Sequence, residues 1–328
     1  MPATAASAVD EPRRRLRPSY VYPAAGLLLL IAAVLAFTDF GEHAGRLGDW
    51  QAFTLGITQG LTELLPISSS GHLILVPWIA NWQYLENHPD FNKTFDVALH
   101  LGTLVAVVVY FWHDVVRYVG AWLVSVRHRR VENEDERIAW WIAAATIPAA
   151  VAGALGENAI ETHLGQPYQI AIFMAAFALL LWIADRSPQD RPIGKLGFWT
   201  AFAIGVSQIL ALMPGVSRSG ITITTGRFAR LDRDAAARFA FLLLIPITFG
   251  AVVFKGVKDV LLATPPGGWT GPFLVGTLAA AAIGLIAIDV LLGYLRKHNY
   301  TIFVVYRLVL AAAILIVIAS GWRGAHFG

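Results

Sequence analysis

GITQGLTELLPISSSG, Gly56 to Gly71, and GVSQILALMPGVSRSG, Gly205 to Gly220, each interrupt an apolar run with Pro, Gly and Ser. A helix within hydrocarbon cannot leave backbone groups unpaired, so such a break at membrane depth survives only where protein or a polar cavity meets it. The two stretches align, Gly56 with Gly205, Gln59 with Gln208, and Ser68, Ser69, Ser70 and Gly71 with Ser217, Arg218, Ser219 and Gly220. Only the proline is displaced, which makes the pair a weak internal repeat.

The surrounding chain has 328 residues, 56% of them hydrophobic and 14% charged, with a mean hydropathy of +0.59. Its apolar runs are long enough to cross a hydrocarbon core, which predicts an all-α polytopic membrane protein. Spans are expected at Val21 to Phe37 and at about residues 94–113, 138–155, 168–184, 236–254, 271–292 and 301–320, about seven in all. Residues 1–20 read as a disordered basic tail carrying Arg13, Arg14, Arg15 and Arg17, and 49–328 as one membrane domain. The 21–37 run also carries a tolerable signal-peptide cleavage pattern at Val34 and Ala36, but an uncleaved span is the preferred reading.

Orientation follows from Lys and Arg, which gather on the cytoplasmic side. If both interrupted segments, about 50–80 and 197–226, dip in and return to their own side, the tail, the loop from Arg117 to Arg137 and the clusters Arg186 to Lys195 and Arg227 to Arg238 are cytoplasmic. Arg46, Lys93, Lys255, Lys258 and Arg323 are then outside. If the first segment crossed once, the Arg117–Arg137 loop would be outside, so re-entrant hairpins fit better. They enter from opposite faces, which makes the repeat inverted and brings its two breaks together, the sequence mark of a membrane binding site.

The copies differ in their polar groups. The first carries Glu63 and Ser69 where the second has Leu212 and Arg218. Helices restarting after SSSG and SRSG aim free N–H groups and positive dipole ends into the breaks. With Arg218 and the hydroxyls of Ser68, Ser69, Ser70, Ser217 and Ser219, bounded by Gly71 and Gly220 and approached by Glu63 and His72, they form a phosphate cradle and suggest phosphoryl transfer from a lipid. Other duties stay open: serines as N-caps, Gln59 and Glu63 as helix-packing polar groups, His72 as a buried histidine, and Arg218 with Glu63 as a structural ion pair. Asp96 and His100, one turn apart, form a second layer or pair with each other. Arg307 is expected to snorkel to lipid phosphates. The formal charge of +3 and its placement between spans argue against a nucleic-acid partner. The absence of cysteine excludes disulfides, thiolate metal sites and a cysteine nucleophile.

QGLTELLPISSSGH and PGVSRSG, together with FDVALHLGTLVAVVVYF and ATIPAAVAG, resemble the bacterial undecaprenyl-diphosphate phosphatase family, also called the bacitracin-resistance protein family. The likeness runs from about Trp50 to Ser320, and the first span is extra to it. It implies hydrolysis of undecaprenyl diphosphate, a polyprenyl diphosphate lipid, in a catalytic domain of the bacterial inner membrane. The N-terminus is then cytoplasmic and the site open to the outer face. It further implies an interdigitated inverted repeat, Glu63 as essential acid, Ser69 as nucleophile or phosphate ligand, His72 as acid–base residue and Arg218 as clamp. A divalent cation, Mg²⁺ or Ca²⁺, would take Glu63 and Gln59; Gln59 stands where the family uses Glu or Gln. No organic cofactor is implied, and an oligomer is allowed. Facing broken helices also describe a transporter or flippase of an anionic prenyl-phosphate lipid, the alternative reading.

Overall fold

The computed structural model describes residues 18–38, 47–255 and 269–325. The basic tail with Arg13 to Arg17, and Arg46 and Lys258 among the expected outer residues, lie outside these. The described chain is helical: α1 (Pro18–Thr38), α2 (Asp49–Leu64), α3 (Ser69–Ala80), α4 (Gln83–Asn87), α5 (Pro89–Tyr110), α6 (Trp112–His128), α7 (Glu134–His163), α8 (Pro167–Ala184), α9 (Phe198–Ser207), α10 (Arg218–Phe228), α11 (Arg233–Lys255), α12 (Thr270–Leu295) and α13 (Thr301–Ala319). Seven of these, α1, α5, α7, α8, α11, α12 and α13, are long and apolar enough to cross a membrane. They coincide with the expected spans, and the protein is a multi-pass membrane protein.

Between apolar helices lipid supplies little hydrophobic drive, so close packing of small residues must hold the bundle. Helix α12 is the hub, packed against α1, α2 and α5. Its Gly276, Ala279 and Ala280 meet Gly56 and Gly60 of α2 so tightly that a Cβ at Gly56 would lie 2.5 Å from the Gly276 carbonyl oxygen, and one at Gly60 2.8 Å from that of Ala280. Gly102 of α5 is similarly pressed on Thr277. In the second copy the matched Gly205 lies against Ala145 of α7. Each arm of the repeat is thus seated against a span from the other half of the chain.

One expectation needs correction. The cytoplasmic loop expected from Arg117 to Arg137 is largely helix α6, which ends at Arg129 with a left-handed backbone (φ 54°) and leaves a short connection to Glu134. Trp112, Val116, Val119, Leu123 and Val126 recur at helical spacing as an outward apolar stripe. His113, Asp114 and Arg117 dilute the run below span-like hydropathy, while the stripe suits a lipid interface. Arg227 is fully buried. Its guanidinium bonds the carbonyls of Asp185 (3.2 Å) and Pro188 (3.3 Å), and Asp185 also takes Arg233 (2.7 Å), so the cation joins the α8 end to α10 and α11.

Candidate active site

Proline sets both breaks. The residue before a proline is driven out of the α region, and Leu65 before Pro66 (φ −72°, ψ 146°) and Met213 before Pro214 (φ −80°, ψ 119°) are both extended. The proline displacement is absorbed by a 3₁₀ turn over Gln208–Leu212 and by Gly215 at φ 102°. A Cβ at Gly215 would also meet the Ile170 carbonyl oxygen at 2.7 Å, so the position demands glycine for both conformation and space.

Both chains then turn into a new helix through a serine at positive φ, Ser68 at 77° and Ser217 at 75°. Each serine is the N-cap, its hydroxyl accepting from Gly71 N (3.4 Å) or Gly220 N (3.1 Å). The local repeat in sequence is therefore a repeat in backbone geometry. The breaks are also joined to each other. Gly215 N donates to the Ser68 hydroxyl (3.1 Å), and the Ser219 hydroxyl donates to the Leu65 carbonyl (3.0 Å). Ser70 stands 3.5 Å from Ser68, and Ser217 3.2 Å from Ser219, hydroxyl to hydroxyl.

Glu63, on the buried face of α2, is the meeting point. One carboxylate oxygen, Oε1, pairs with Arg218 Nη2 across the breaks. The other, Oε2, accepts from the Ser69 hydroxyl and from Gln59 Nε2 (3.3 Å), with His100 Nε2 at 3.5 Å. Arg218 is steadied by Thr248 of α11, whose hydroxyl accepts from Nη1 (2.9 Å). His100 donates through Nδ1 to the Asp96 backbone carbonyl (2.7 Å), which directs Nε2 to Glu63 and brings α5 into the site. A hydroxyl donating to a carboxylate, with an arginine opposite, has the chemistry that a nucleophile–base pair beside an anion clamp requires.

His72 is placed differently. Its Nδ1 donates to the Ser68 carbonyl (2.6 Å), so Nε2 accepts from the Tyr306 hydroxyl (2.7 Å). Both ring nitrogens are engaged away from Ser69 and Glu63. Sequence reasoning did not identify Thr248 or Tyr306, which lie on distant helices without a local motif. The expectation for Arg307 is overturned. It is fully buried and bonds Pro66, Gly215 and Val216 carbonyls in both breaks instead of reaching lipid phosphates. The reason is that these carbonyls, turned from their own helices by the prolines, offer it acceptors at depth.

A divalent ion has few ligands here. Glu63 gives one carboxylate, and Gln59 Oε1 is buried without a hydrogen-bond partner. Among the described residues no three His, Asp or Glu side chains group into a metal cage. This set fits an Mg²⁺-type ion, which retains waters and takes phosphate oxygens, better than a caged Ca²⁺.

The family described as bacitracin resistance protein BacA matches residues 52–313. A protein of Moorella thermoacetica named undecaprenyl-diphosphatase is 44% identical over 272 residues, covering 81% of this chain and 97% of that protein. Proteins of the same name from Desulforudis audaxviator and Gemmatimonas aurantiaca are each 42% identical, covering 82% and 83% of this chain and 97% and 98% of their own lengths. The two breaks, their serines, Glu63 and Arg218 all fall inside the matched region, and the chain belongs to the bacitracin resistance protein BacA family.

Proposed function

We propose that the protein is an integral-membrane undecaprenyl-diphosphate phosphatase, hydrolysing the terminal phosphate of the lipid to recycle it as the monophosphate carrier. The observation that carries the reading is the Ser69–Glu63 pair facing Arg218 across two helix breaks. The relatives' shared name supports the same reaction and substrate.

In the proposed reaction the substrate's terminal phosphate draws Arg218 from Glu63 onto its own oxygens, joined by the positive ends of α3 and α10. Glu63, released from the ion pair, takes the Ser69 proton. The Ser69 oxygen attacks phosphorus in line, the bond to the bridging oxygen breaks, and undecaprenyl phosphate leaves with that electron pair. Glu63 passes that proton to the departing lipid phosphate and, as base again, activates a water that attacks phosphorus. The Ser69 oxygen–phosphorus bond breaks, and the Ser69 hydroxyl and free phosphate are released. Gln59 holds the carboxylate toward Ser69, with His100 Nε2 beside it, and Thr248 holds Arg218. Ser68, Ser217 and Ser219 act through the break geometry, while Ser70, Gly71 and Gly220 border the phosphate. A divalent ion would be held by Glu63 and Gln59 Oε1, and when bound it neutralises phosphate charge.

The domain boundaries extend the same reading: 49–328 forms the catalytic unit, and residues 21–37 are an added span. The hairpins enter from opposite faces, with the N-terminus cytoplasmic and the site open to the outer face of the bacterial inner membrane. The basic residues support this arrangement by collecting on one side of it.

The test is turnover of undecaprenyl diphosphate by the full-length protein in detergent micelles, where no gradient exists. Phosphate release, with a phosphoserine at Ser69 trapped by rapid acid quench, is expected. No phosphate release in micelles, together with gradient-dependent lipid movement by the same protein in sealed proteoliposomes, would instead identify a transporter, and full turnover without phosphoserine would leave Glu63 activating water.

A further inference from the structure

Arg307 of α13 is fully buried, and its bonds span the two breaks rather than any one helix. Nη1 donates to the Pro66 carbonyl (3.3 Å) in the first break. Nη2 donates to the Gly215 (2.9 Å) and Val216 (3.0 Å) carbonyls in the second. Tyr306, its neighbour in sequence, donates to His72 of α3. One turn of α13 therefore grips both sides of the site from behind.

The choice of residue is informative. Three carbonyls in two different loops need a planar fork of donors; a lysine ammonium gathers its donors at one point and cannot reach both loops with the same geometry. The fold also makes room for the fork, since a Cβ at Gly220 would lie 3.1 Å from Arg307 Nη1. The charges differ from those at the other arginine. Arg218 is neutralised by Glu63, whereas the described bonds of Arg307 all go to uncharged carbonyls. A buried cation without a carboxylate is expensive at membrane depth and marks a functional position. Here it stands behind two helix N-termini, where the positive ends add to its field. Its partners lie only two or three residues from Ser69 and Arg218.

We propose that Arg307 is a positioning residue for the reaction: its fork fixes the two breaks at the separation that faces Ser69 with Arg218, and its charge draws the substrate's diphosphate. This deepens the phosphatase reading and rests on it. The two duties separate experimentally, because Arg307→Lys retains charge without the fork and Arg307→Gln loses the charge.

The experiment uses full-length protein in detergent, with elution profile and melting temperature establishing folding. It measures kcat and KM on undecaprenyl diphosphate, and the shift in melting temperature caused by inorganic phosphate. Folded Arg307→Lys is expected to keep the phosphate-induced shift and lose at least 100-fold in kcat with a much smaller change in KM. Folded Arg307→Gln is expected to lose both the shift and turnover. Either variant folding and turning over within threefold of wild type overturns the proposal. So does a phosphate shift unchanged in Arg307→Gln. Should neither variant fold, Gly220→Ala is made in a Ser217→Gly background, which removes the Ser217 side chain that the new Cβ would also meet at 3.0 Å and leaves Arg307 Nη1 at 3.1 Å. It must lower kcat by at least tenfold relative to Ser217→Gly alone, and unchanged turnover overturns the proposal. If wild type itself releases no phosphate, the phosphatase reading fails, and the phosphate shift still decides whether Arg307 supplies the anion-attracting charge.

Discussion

Ser68 and Ser217 occupy matched positions but carry unequal loads, and truncating each to alanine should expose the difference. Both hydroxyls cap the helix that follows, a contribution of about 1 kcal/mol, less for Ser68 because its bond to Gly71 N is long at 3.4 Å. Ser68 alone also receives Gly215 N, at 3.1 Å in a buried setting. Removing its hydroxyl strands that donor at a cost of about 1–3 kcal/mol. The Ser68→Ala change should therefore cost roughly 2–3 kcal/mol and Ser217→Ala about 1 kcal/mol. At about 2 °C per kcal/mol for a large chain, melting in detergent should fall by roughly 4–6 °C and 2 °C. Glycine at the same positions relieves a positive φ worth about 1 kcal/mol, so Ser217→Gly should melt close to wild type while Ser68→Gly stays below it. Following melting by fluorescence-detected size exclusion checks the order. A Ser217→Ala protein that melts at or below Ser68→Ala would refute the assignment of Ser68 as the bond between the breaks.

Glu63→Gln should cost about 3–5 kcal/mol, because it leaves the Arg218 guanidinium without its carboxylate, and adding Arg218→Gln should recover part of the melting temperature without activity. A double variant no more stable than Glu63→Gln would show that the pair is not energetically coupled. Gly56→Val should sharply reduce the yield of monodisperse protein, since its Cβ would lie 2.5 Å from the Gly276 carbonyl oxygen and α12 must move, at a cost of about 1–3 kcal/mol or more. Normal yield and melting would mean that the α2–α12 seam is not tightly packed.

What was legible in the sequence was local. Pro66 and Pro214 announced the breaks because the residue before proline leaves the helix, and the Ser-Gly pattern announced the restarts. Glu63, Ser69 and Arg218 were identified for the same reason, since polar groups clustered at an apolar break need an explanation. Long apolar runs gave the spans directly. Helix α6 was hidden because a search for uniform apolarity overlooks a stripe of apolar residues at helical spacing. Thr248, Tyr306 and the true place of Arg307 depend on which helices become neighbours, and no short stretch of sequence carries that information. The serines illustrate an intermediate case: their presence was clear, but Ser68 and Ser219 join the two breaks through atoms far apart in the chain.

The most direct measurement is phosphate release from undecaprenyl diphosphate by purified wild type, Glu63→Gln, Ser69→Ala and Arg218→Ala, compared only among preparations that elute and melt as folded protein. The account predicts turnover by wild type and its loss in all three variants, because the acid, the hydroxyl and the clamp from the two breaks act on one phosphate. Wild-type turnover that persists in folded Glu63→Gln, Ser69→Ala or Arg218→Ala would contradict it.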